Sequence, residues 1–287
     1  MKAPPKRIAI TGATRGLGVA LVRDLLLASS GAHHVLLTGR DAAAAHSTGA
    51  ALRTELKLHG SMMGSPNLLE VYPAPLDMSD SRSVAAFAHF SETWGGVDVL
   101  VNNAAVCPVG WTRDAALACW RTNVLGPLLL SQALLPGMLR RRSGHIINVS
   151  SGDGELVYLS PGLQTALDSA RTERAVLRVL AQAAPPRDAF GPSPAYGPTP
   201  AYSTSKAALN VLTRLGAAAL PPPEESGVRL SAVCPGDVQT RMLDRSDPLA
   251  WANALPPATA ARDVVRLAMA RRAPSGRFWR HGREIRW

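Results

Sequence analysis

The sequence predicts a doubly wound α/β fold, that is, a parallel sheet with helices on both faces. Short apolar runs alternate along the chain with longer segments that carry apolar residues at helical spacing. Most of these runs are nearly continuous in apolar residues, as expected for parallel strands that are covered on both faces. A loop with three glycines joins the first run to the first helical segment, an arrangement typical of this fold class.

Six runs are predicted to be strands, and five segments between them are predicted to be helices. The strands are expected at 7–11, 34–39, 69–76, 97–103, 144–151 and 228–236. The helices are expected at 18–29, around 50–60, and at 81–94, 117–141 and 202–220.

One segment, 155–200, interrupts the alternation. It contains a predicted helix at 165–184 and then the stretch PPRDAFGPSPAYGPTP at 185–200. Prolines and glycines at this density exclude a central strand or a regular helix. Because core-like elements resume immediately afterwards, we interpret 155–200 as an insertion and residues 1–287 as a single domain.

Composition narrows the function classes. The chain has 287 residues, a formal net charge of +10 and three cysteines without a close pair. An odd number of dispersed cysteines indicates a reduced, intracellular protein, which we expect to be cytoplasmic.

No apolar run is expected to span a membrane. Basic residues are dispersed outside any nucleic-acid motif, so we expect a small anionic ligand and not a nucleic acid. The histidines show no metal-ligand spacing, and no metal is predicted.

The glycine loop, ITGATRGLG, places Gly12, Gly16 and Gly18 between a strand and an amphipathic helix. Glycines let the backbone turn tightly and approach a pyrophosphate, and the helix N-terminus offers free N–H groups to that anion. This context makes the motif much more specific than three glycines alone. The loop therefore predicts a dinucleotide-binding Rossmann fold.

The spacing of these glycines resembles that of the short-chain dehydrogenase/reductase family, and further motifs follow in the order of that family. Asp77 in LDMSD resembles the residue that holds the adenine ring. NNAA at 102–105 resembles the Asn-Asn-Ala-Gly motif, with Ala105 in place of glycine. PGDVQT at 235–240 resembles the loop that flanks the nicotinamide. The resemblance covers nearly the whole chain.

The end of the second strand predicts the cofactor. NAD-binding sites usually place an acidic residue there, about 20 residues past the glycines. This chain has Arg40 instead, and Arg15 lies within the glycine loop. Guanidinium groups match phosphate geometry, so both arginines favour the 2′-phosphate of NADP. Asp41 would favour NAD if it faced the ribose, and that alternative stays open here.

The resemblance and this charge argument together define the predicted NADP(H)-binding set. Its members are Gly12, Thr14, Arg15, Gly16, Leu17, Gly18, Arg40, Asp77, Met78, Asn103, Tyr202, Lys206, Pro235, Gly236, Val238 and Thr240.

Tyr202 and Lys206 are the predicted catalytic pair. Residues four apart lie on one helix face, so AYSTSKAALN directs both side chains into one site. A neighbouring ammonium stabilises a phenolate, so we expect Lys206 to lower the pKa of Tyr202. Tyr158 and Tyr196 are rivals, but each is followed at the fourth position by Gly or Pro, which supplies no cation.

The family resemblance implies two further catalytic residues, Ser151 and Asn123. Ser151 lies three residues before Gly154, the spacing of the active serine in the family. Asn123 lies in the preceding long helix and would support a water chain. Tyr202 would then act as general acid on a carbonyl oxygen, and Ser151 would orient that oxygen.

The expected function is NADPH-dependent reduction of a ketone, aldehyde or quinone. Oxidation of a secondary alcohol or steroid by an NADP-dependent dehydrogenase, and NADPH sensing without turnover, are the alternatives. The insertion before the tyrosine resembles that of monomeric carbonyl reductases, which implies a monomer, with a dimer left open. Phe190 and Tyr196 in the insertion are candidate substrate contacts.

Overall fold

The computed structural model describes residues 5–28, 33–58, 67–185, 193–243, 247–270 and 272–287. Within these residues eight strands form one sheet, which confirms the predicted fold class. The strands are β1 Arg7–Ile10, β2 His34–Leu37, β3 Leu68–Val71, β4 Val99–Asn102, β5 Gly144–Val149, β6 Val228–Cys234, β7 Arg277–Arg280 and β8 Arg283–Ile285.

The sheet order is β3-β2-β1-β4-β5-β6-β7-β8. Every neighbouring pair is parallel except β7 and β8, which are antiparallel. The order reverses between β1 and β4, where the connections leave to opposite sides. In open α/β sheets ligands bind outside the carboxyl ends of the strands at such a point.

Eleven helices accompany the strands in the described parts of the chain. They are α1 Gly16–Leu27, α2 Ala42–Leu58, α3 Ser81–Thr93, α4 Arg113–Cys119, α5 Gly126–Arg141, α6 Pro161–Asp168, α7 Glu173–Ala183, α8 Pro200–Ala219, α9 Pro223–Ser226, α10 Pro248–Asn253 and α11 Pro257–Met269. A π-helical turn, Trp120–Leu125, joins α4 to α5.

Alternating strand residues fill two cores. Ile8 and Ile10 of β1 belong to the cluster with residues of α1 and α11, whereas Ala9 belongs to the cluster under α3 and α5. A third cluster joins α4, α6, α7 and α8. The insertion thus lies against α8, the helix that carries Tyr202 and Lys206. The monomeric state, which was inferred from the insertion, stays a prediction.

The C-terminal strands β7 and β8 were missed by the sequence analysis, which assigned their charged sequence RFWRHGREIRW to no element. His281 and Gly282 form the two-residue connection, with φ of 48° and 75°. Positive φ at both central positions is the geometry of the tightest β-hairpin turns. Phe278 is fully buried and stacks on Trp287 with ring centroids 5.7 Å apart. Packing of these two rings on one face stabilises the hairpin. The many charged residues around them hide this apolar pattern in the sequence.

Two helix predictions also need correction. The single helix predicted at 165–184 is two helices, because Ser169 donates to the Thr165 carbonyl and Thr172 caps α7 by accepting from the Ala175 N–H. Such local side-chain bonds compete with helix continuation. The expectation that no apolar run could span a membrane also fails. The helical run Arg113–Arg141 is long and apolar enough, by length and composition alone, to cross one. In the fold this run contributes to two of the cores.

His145 in β5 predicts a pH dependence of stability. Burial lowers its pKa from 6.5 to about 3, and Lys6 and Arg229 act in the same direction. A depressed folded pKa contributes stability that is complete above 6.5 and is lost as pH falls towards 3. Between pH 6.5 and about 5 the loss from this one group should reach about 2 kcal/mol.

Denaturant unfolding at a series of pH values measures this loss. His145→Gln keeps a hydrogen-bonding side chain opposite Ser231, whose Oγ lies 3.0 Å from the His145 Nε2. The variant should show a shallower decline between the two pH values. An equally steep decline would remove His145 as its source.

Candidate active site

The glycine loop forms a cradle at the switch point of the sheet. Gly12 has φ of 63° and Gly16 has φ of 55°, a region that favours glycine. A Cβ at Gly12 would lie 2.8 Å from Ala104 Cα, and one at Gly16 would lie 3.0 Å from Thr240 Cγ2. Neighbouring residues therefore leave no room for a side chain at these two positions of the loop. A dinucleotide fits such a cradle, with its pyrophosphate at the N-terminus of α1.

Asn103 holds this loop in place. Its Nδ2 donates to the carbonyls of Thr11 and Gly12, at 2.9 and 3.1 Å. Its backbone N–H, and that of Ala104, donate to Thr11 Oγ1 at 3.0 Å. Asn103 and Ala104 thus fix the shape of the glycine loop. The sequence analysis overlooked Thr11, although its place directly before Gly12 was a usable signal.

The charges at the end of β2 bear on the cofactor. Arg15 and Arg40 are both exposed beside the cradle. Asp41 Oδ1 accepts from the Ala44 N–H at 3.1 Å, and its carbonyl accepts from the Ala45 N–H. The Asp41 carboxylate therefore caps the start of α2. One oxygen of the Asp41 carboxylate thus has a partner in α2, and the choice between NAD and NADP stays a prediction.

Four more of the predicted cofactor residues make local contacts in the structure. The Asp77 carboxylate closes a turn by accepting from the N–H and Oγ of Ser79, and Met78 is buried beneath it. Thr14 accepts from Thr48 Oγ1 through its carbonyl, and Leu17 packs against the core.

The loop Pro235–Gly236 follows β6 directly. Gly236 has φ of 76°, and Val238 forms a bridge to Leu255. The Thr240 N–H donates to the Val238 carbonyl. This folding brings Thr240 opposite Gly16, so the loop forms the wall of the cleft that faces the glycine cradle.

Tyr202 and Lys206 lie one turn apart on α8, both buried. The Lys206 Nζ donates to the Val149 carbonyl at the end of β5, over 2.7 Å. It also lies 5.5 Å from the centroid of the Tyr202 ring. The structure thus has the phenol and the ammonium together in one site, as the helical spacing predicted.

Ser151 meets Tyr202 across the gap between β5 and α8. The Ser151 side chain acts on the Tyr202 phenol and lowers its pKa. Ser151 begins a 3-10 turn, Gly152–Gly154, and its Oγ accepts from the Asp153 N–H at 3.2 Å. Gly154 allows this turn to rest on α8, because a Cβ there would lie 2.8 Å from the Lys206 carbonyl carbon.

Asn123 lies in the π-helical turn and is fully buried. Its Oδ1 accepts from the Val106 N–H, while its Nδ2 donates to the Val106 carbonyl and to Ser205 Oγ, each at 2.9 to 3.0 Å. Ser205 Oγ in turn donates to the Tyr202 carbonyl. The amide therefore ties the loop after β4 to the helix of the tyrosine, and its side chain is fully engaged in doing so.

The predicted acidification of Tyr202 is not what this structure has. Burial raises the pKa of Tyr202, with Cys107, Asp153 and Cys234 adding to the effect and the Ser151 side chain opposing it. Burial lowers the pKa of Lys206 to about 8. Sequence spacing revealed the neighbourhood of the two groups but not the loss of water around them, which dominates at full burial.

The rival tyrosines lie at the surface. Tyr158 and Tyr196 are joined by the bond from the Tyr196 N–H to the Tyr158 carbonyl, and both side chains are exposed. Cys107, by contrast, is half-buried next to Thr199. Phe190 lies outside the described residues.

Comparison with known proteins identifies the family. The short chain dehydrogenase family matches residues 6–161 and 193–249, on both sides of the central part of the predicted insertion. The chain belongs to the short-chain dehydrogenase/reductase family. This family member is also 31% identical over 291 residues to carbonyl reductase [NADPH] 1 from Sus scrofa, a match that covers 97% of this chain and 93% of that protein.

Two solved structures match nearly the whole chain. Salutaridine reductase from Papaver somniferum gives a TM-score of 0.74 at 24% identity, over 96% of this chain and 99% of that one, which shows a shared fold. Menthone neomenthol reductase from Mentha piperita gives 0.69 at 26% identity, over 96% and 98%. As a family member, the chain is an oxidoreductase.

Proposed function

We propose that this oxidoreductase reduces the carbonyl group of a ketone, aldehyde or quinone with NADPH. The observation that carries the proposal is the meeting of Tyr202, Ser151 and Lys206 beside the glycine cradle. These three groups come from β5 and α8, so no single segment of the chain brings them together. The similarity to carbonyl reductase [NADPH] 1 supports the same reaction class.

Each of the three groups has a distinct task in the proposal. The nicotinamide, when bound, supplies the hydride that reaches the carbonyl carbon. Tyr202 donates the proton to the carbonyl oxygen as it becomes an alcohol oxygen. Ser151 hydrogen-bonds the same oxygen and fixes its position. Lys206, held by the Val149 carbonyl, keeps a positive charge beside the phenol as the proton leaves.

The raised pKa of Tyr202 determines which form of the phenol is present at neutral pH. A phenol whose pKa is raised stays protonated at neutral pH, which is the form that reduction consumes. The Lys206 ammonium, with its pKa lowered to about 8, is still mostly protonated at pH 7 and able to stabilise the phenolate that forms.

Asn123 is proposed to act as a positioning residue. Its hydrogen bonds to Val106 and Ser205 set the distance between the loop after β4 and the tyrosine helix. The expected support of a water chain would then come from the π-helical backbone around it and not from its amide, whose polar atoms already have partners.

The preference for NADPH over NADH is predicted to depend on Arg40. Arg40→Ala should lower the ratio of kcat/KM for NADPH to that for NADH by about 10- to 100-fold, since a hydrogen bond between charged groups contributes roughly 1.5–3 kcal/mol. The measurement is initial rates with each cofactor at a fixed carbonyl concentration. Arg53→Ala, which removes a guanidinium that donates to the Leu69 carbonyl away from the cradle, is the matched control. An unchanged ratio in Arg40→Ala would contradict the assignment.

The direct test of the function follows NADPH absorbance in the presence of aryl ketones, aldehydes and quinones. Consumption of NADPH with a matching amount of alcohol product supports the proposal. NADP-dependent oxidation of secondary alcohols without reduction of any carbonyl would favour the dehydrogenase alternative. Binding of NADPH without turnover of any compound would identify a sensor.

A further inference from the structure

The turn of the C-terminal hairpin lies at the same edge of the sheet as the candidate active site. β5, β6 and β7 are parallel neighbours, and the last residues of β6 and β7, Cys234 and Arg280, lie opposite each other. The carboxyl ends of parallel strands meet at one edge of a sheet. The hairpin turn therefore emerges beside the segments of Ser151 and Pro235, which follow β5 and β6 in the chain.

Arg280 reaches the turn that presents Ser151. A Cβ at Gly152 would lie 3.3 Å from the Arg280 Nη1, so the guanidinium lies against this residue. The same Nη1 lies 4.0 Å from the Glu155 Oε1. The Glu155 N–H closes the turn by donating to the Gly152 carbonyl at 2.9 Å. Both ends of the turn after Ser151 thus face one guanidinium.

His281, the next residue, reaches the loop after β6. A Cβ at Gly236 would lie 3.5 Å from the His281 Cε1 and 3.8 Å from its Nε2. The same loop continues to Thr240, whose Cγ2 lies opposite Gly16 of the glycine cradle. The imidazole therefore lies next to the wall of the cleft that faces the cradle.

Helix α11 anchors the hairpin turn that carries these two side chains. The Gly282 N–H donates to the Asp263 Oδ2 at 3.0 Å, and the Asp263 Oδ1 pairs with the Arg266 Nη2 at 3.4 Å. A Cβ at Gly282 would lie 2.6 Å from the Arg266 Nη1, so that guanidinium lies directly against the turn. His281 has a φ of 48°, which is uncommon for a residue other than glycine. Arg280 and His281 thus project from a backbone that α11 holds in place.

Resting on the proposed function, we infer that Arg280 and His281 are positioning residues for carbonyl reduction. Arg280 holds the turn of Ser151, and with it the hydroxyl that orients the carbonyl oxygen. His281 holds the loop after β6, and with it the wall against which the cofactor binds. Because the two residues are adjacent on one anchored turn, the hairpin fixes the serine and this wall relative to each other.

Arg280 is expected to affect kcat. Arg280→Ala should lower kcat by about 10- to 100-fold, since a misplacement of about 1 Å can reduce a rate by about 100-fold. The Kd for NADPH should stay within about twofold of wild type. Arg280→Lys keeps a cation opposite Glu155 and should recover part of the lost rate. An ion pair of this length between partly exposed groups contributes little to stability, so these variants should fold.

His281 is expected to affect cofactor binding instead. His281→Gly removes the imidazole and keeps the turn, because glycine adopts a positive φ readily. The loop after β6 then loses a neighbour, and NADPH has to order this loop when it binds. The Kd for NADPH should rise about three- to tenfold. The kcat at saturating NADPH should stay within about twofold of wild type.

Arg277→Ala is the matched control within the same hairpin. It removes a guanidinium that pairs with Glu284 at 2.8 Å, at the start of β7 and away from the edge that carries the site. Both constants should keep their wild-type values in this variant. Calorimetry gives the Kd for NADPH, initial rates with the best of the aryl ketones, aldehydes and quinones give kcat, and denaturant unfolding shows that each variant is folded.

The outcomes separate this inference from the proposed function. Opposite effects of Arg280→Ala and His281→Gly on kcat and Kd support the inference, because a general loss of structure would change both constants together. If the two variants keep wild-type constants, or lose both constants alike, the inference is wrong and the carbonyl reductase stands. If Arg280→Ala does not fold, a wild-type kcat in Arg280→Lys and a wild-type Kd in His281→Gly overturn it. If the wild type reduces no carbonyl with NADPH, the proposed function fails.

Discussion

Tyr202→Phe is expected to lower kcat for carbonyl reduction by about 10²- to 10⁴-fold, the usual contribution of a general acid. The phenylalanine ring keeps the buried apolar contacts of Tyr202 and removes only the hydroxyl. Without that hydroxyl the developing alkoxide has no proton donor from α8. Steady-state rates with NADPH and the best carbonyl of the panel provide the measurement.

The control for this change is Tyr196→Phe, which makes the same substitution on an exposed ring. Its rate with a small neutral aldehyde as the substrate should stay within about twofold of wild type. NADPH binding, followed by fluorescence or calorimetry, should persist in Tyr202→Phe, which would separate a chemical defect from a loss of fold. Full activity in Tyr202→Phe would sink the proposed mechanism.

Gly18→Ala is expected to have the second large effect, on NADPH affinity and on stability. A Cβ at this position would lie 2.5 Å from the Gly12 carbonyl oxygen and 2.7 Å from Ala13 Cα. Both are backbone atoms of the cradle, so the loop has to move to accept the methyl group. We expect NADPH affinity to fall at least about tenfold and the free energy of unfolding to fall by about 1–3 kcal/mol.

Titration with NADPH and denaturant unfolding report these two losses separately. Gly162→Ala is the matched control, because a Cβ at that helical position in α6 would meet no atom within 4 Å. Alanine is the better helix former, so this variant should be neutral or slightly more stable. Wild-type affinity in Gly18→Ala would mean that the cradle does not hold the cofactor.

The parts of the fold that the sequence predicted are those with a local pattern. The first six strands are apolar runs, and Gly12, Gly16 and Gly18 punctuate the turn after β1 in a way that few other folds require. Tyr202 and Lys206 could be placed in one site because helical periodicity fixes their relative direction. Ser151 needed the family resemblance, since 51 positions separate it from Tyr202 in the chain.

What the sequence could not predict depends on contacts between distant segments. The β7–β8 hairpin hides its buried face among arginines, and its partner strand β6 lies 43 positions earlier, from Cys234 to Arg277. The raised pKa of Tyr202 comes from burial under several elements, which no spacing rule reports.

The C-terminal hairpin also decides how the sheet ends. β8 is three residues long and pairs only with β7 among the described strands. The N–H and C=O groups on its outer side could therefore pair with a strand of another molecule. Arg283, Glu284 and Arg286 are exposed along this border. Short, charged borders resist pairing with foreign strands, because an incoming chain would have to desolvate the charges. The closing residues thus protect the molecule against fibre-like growth at this end of its sheet.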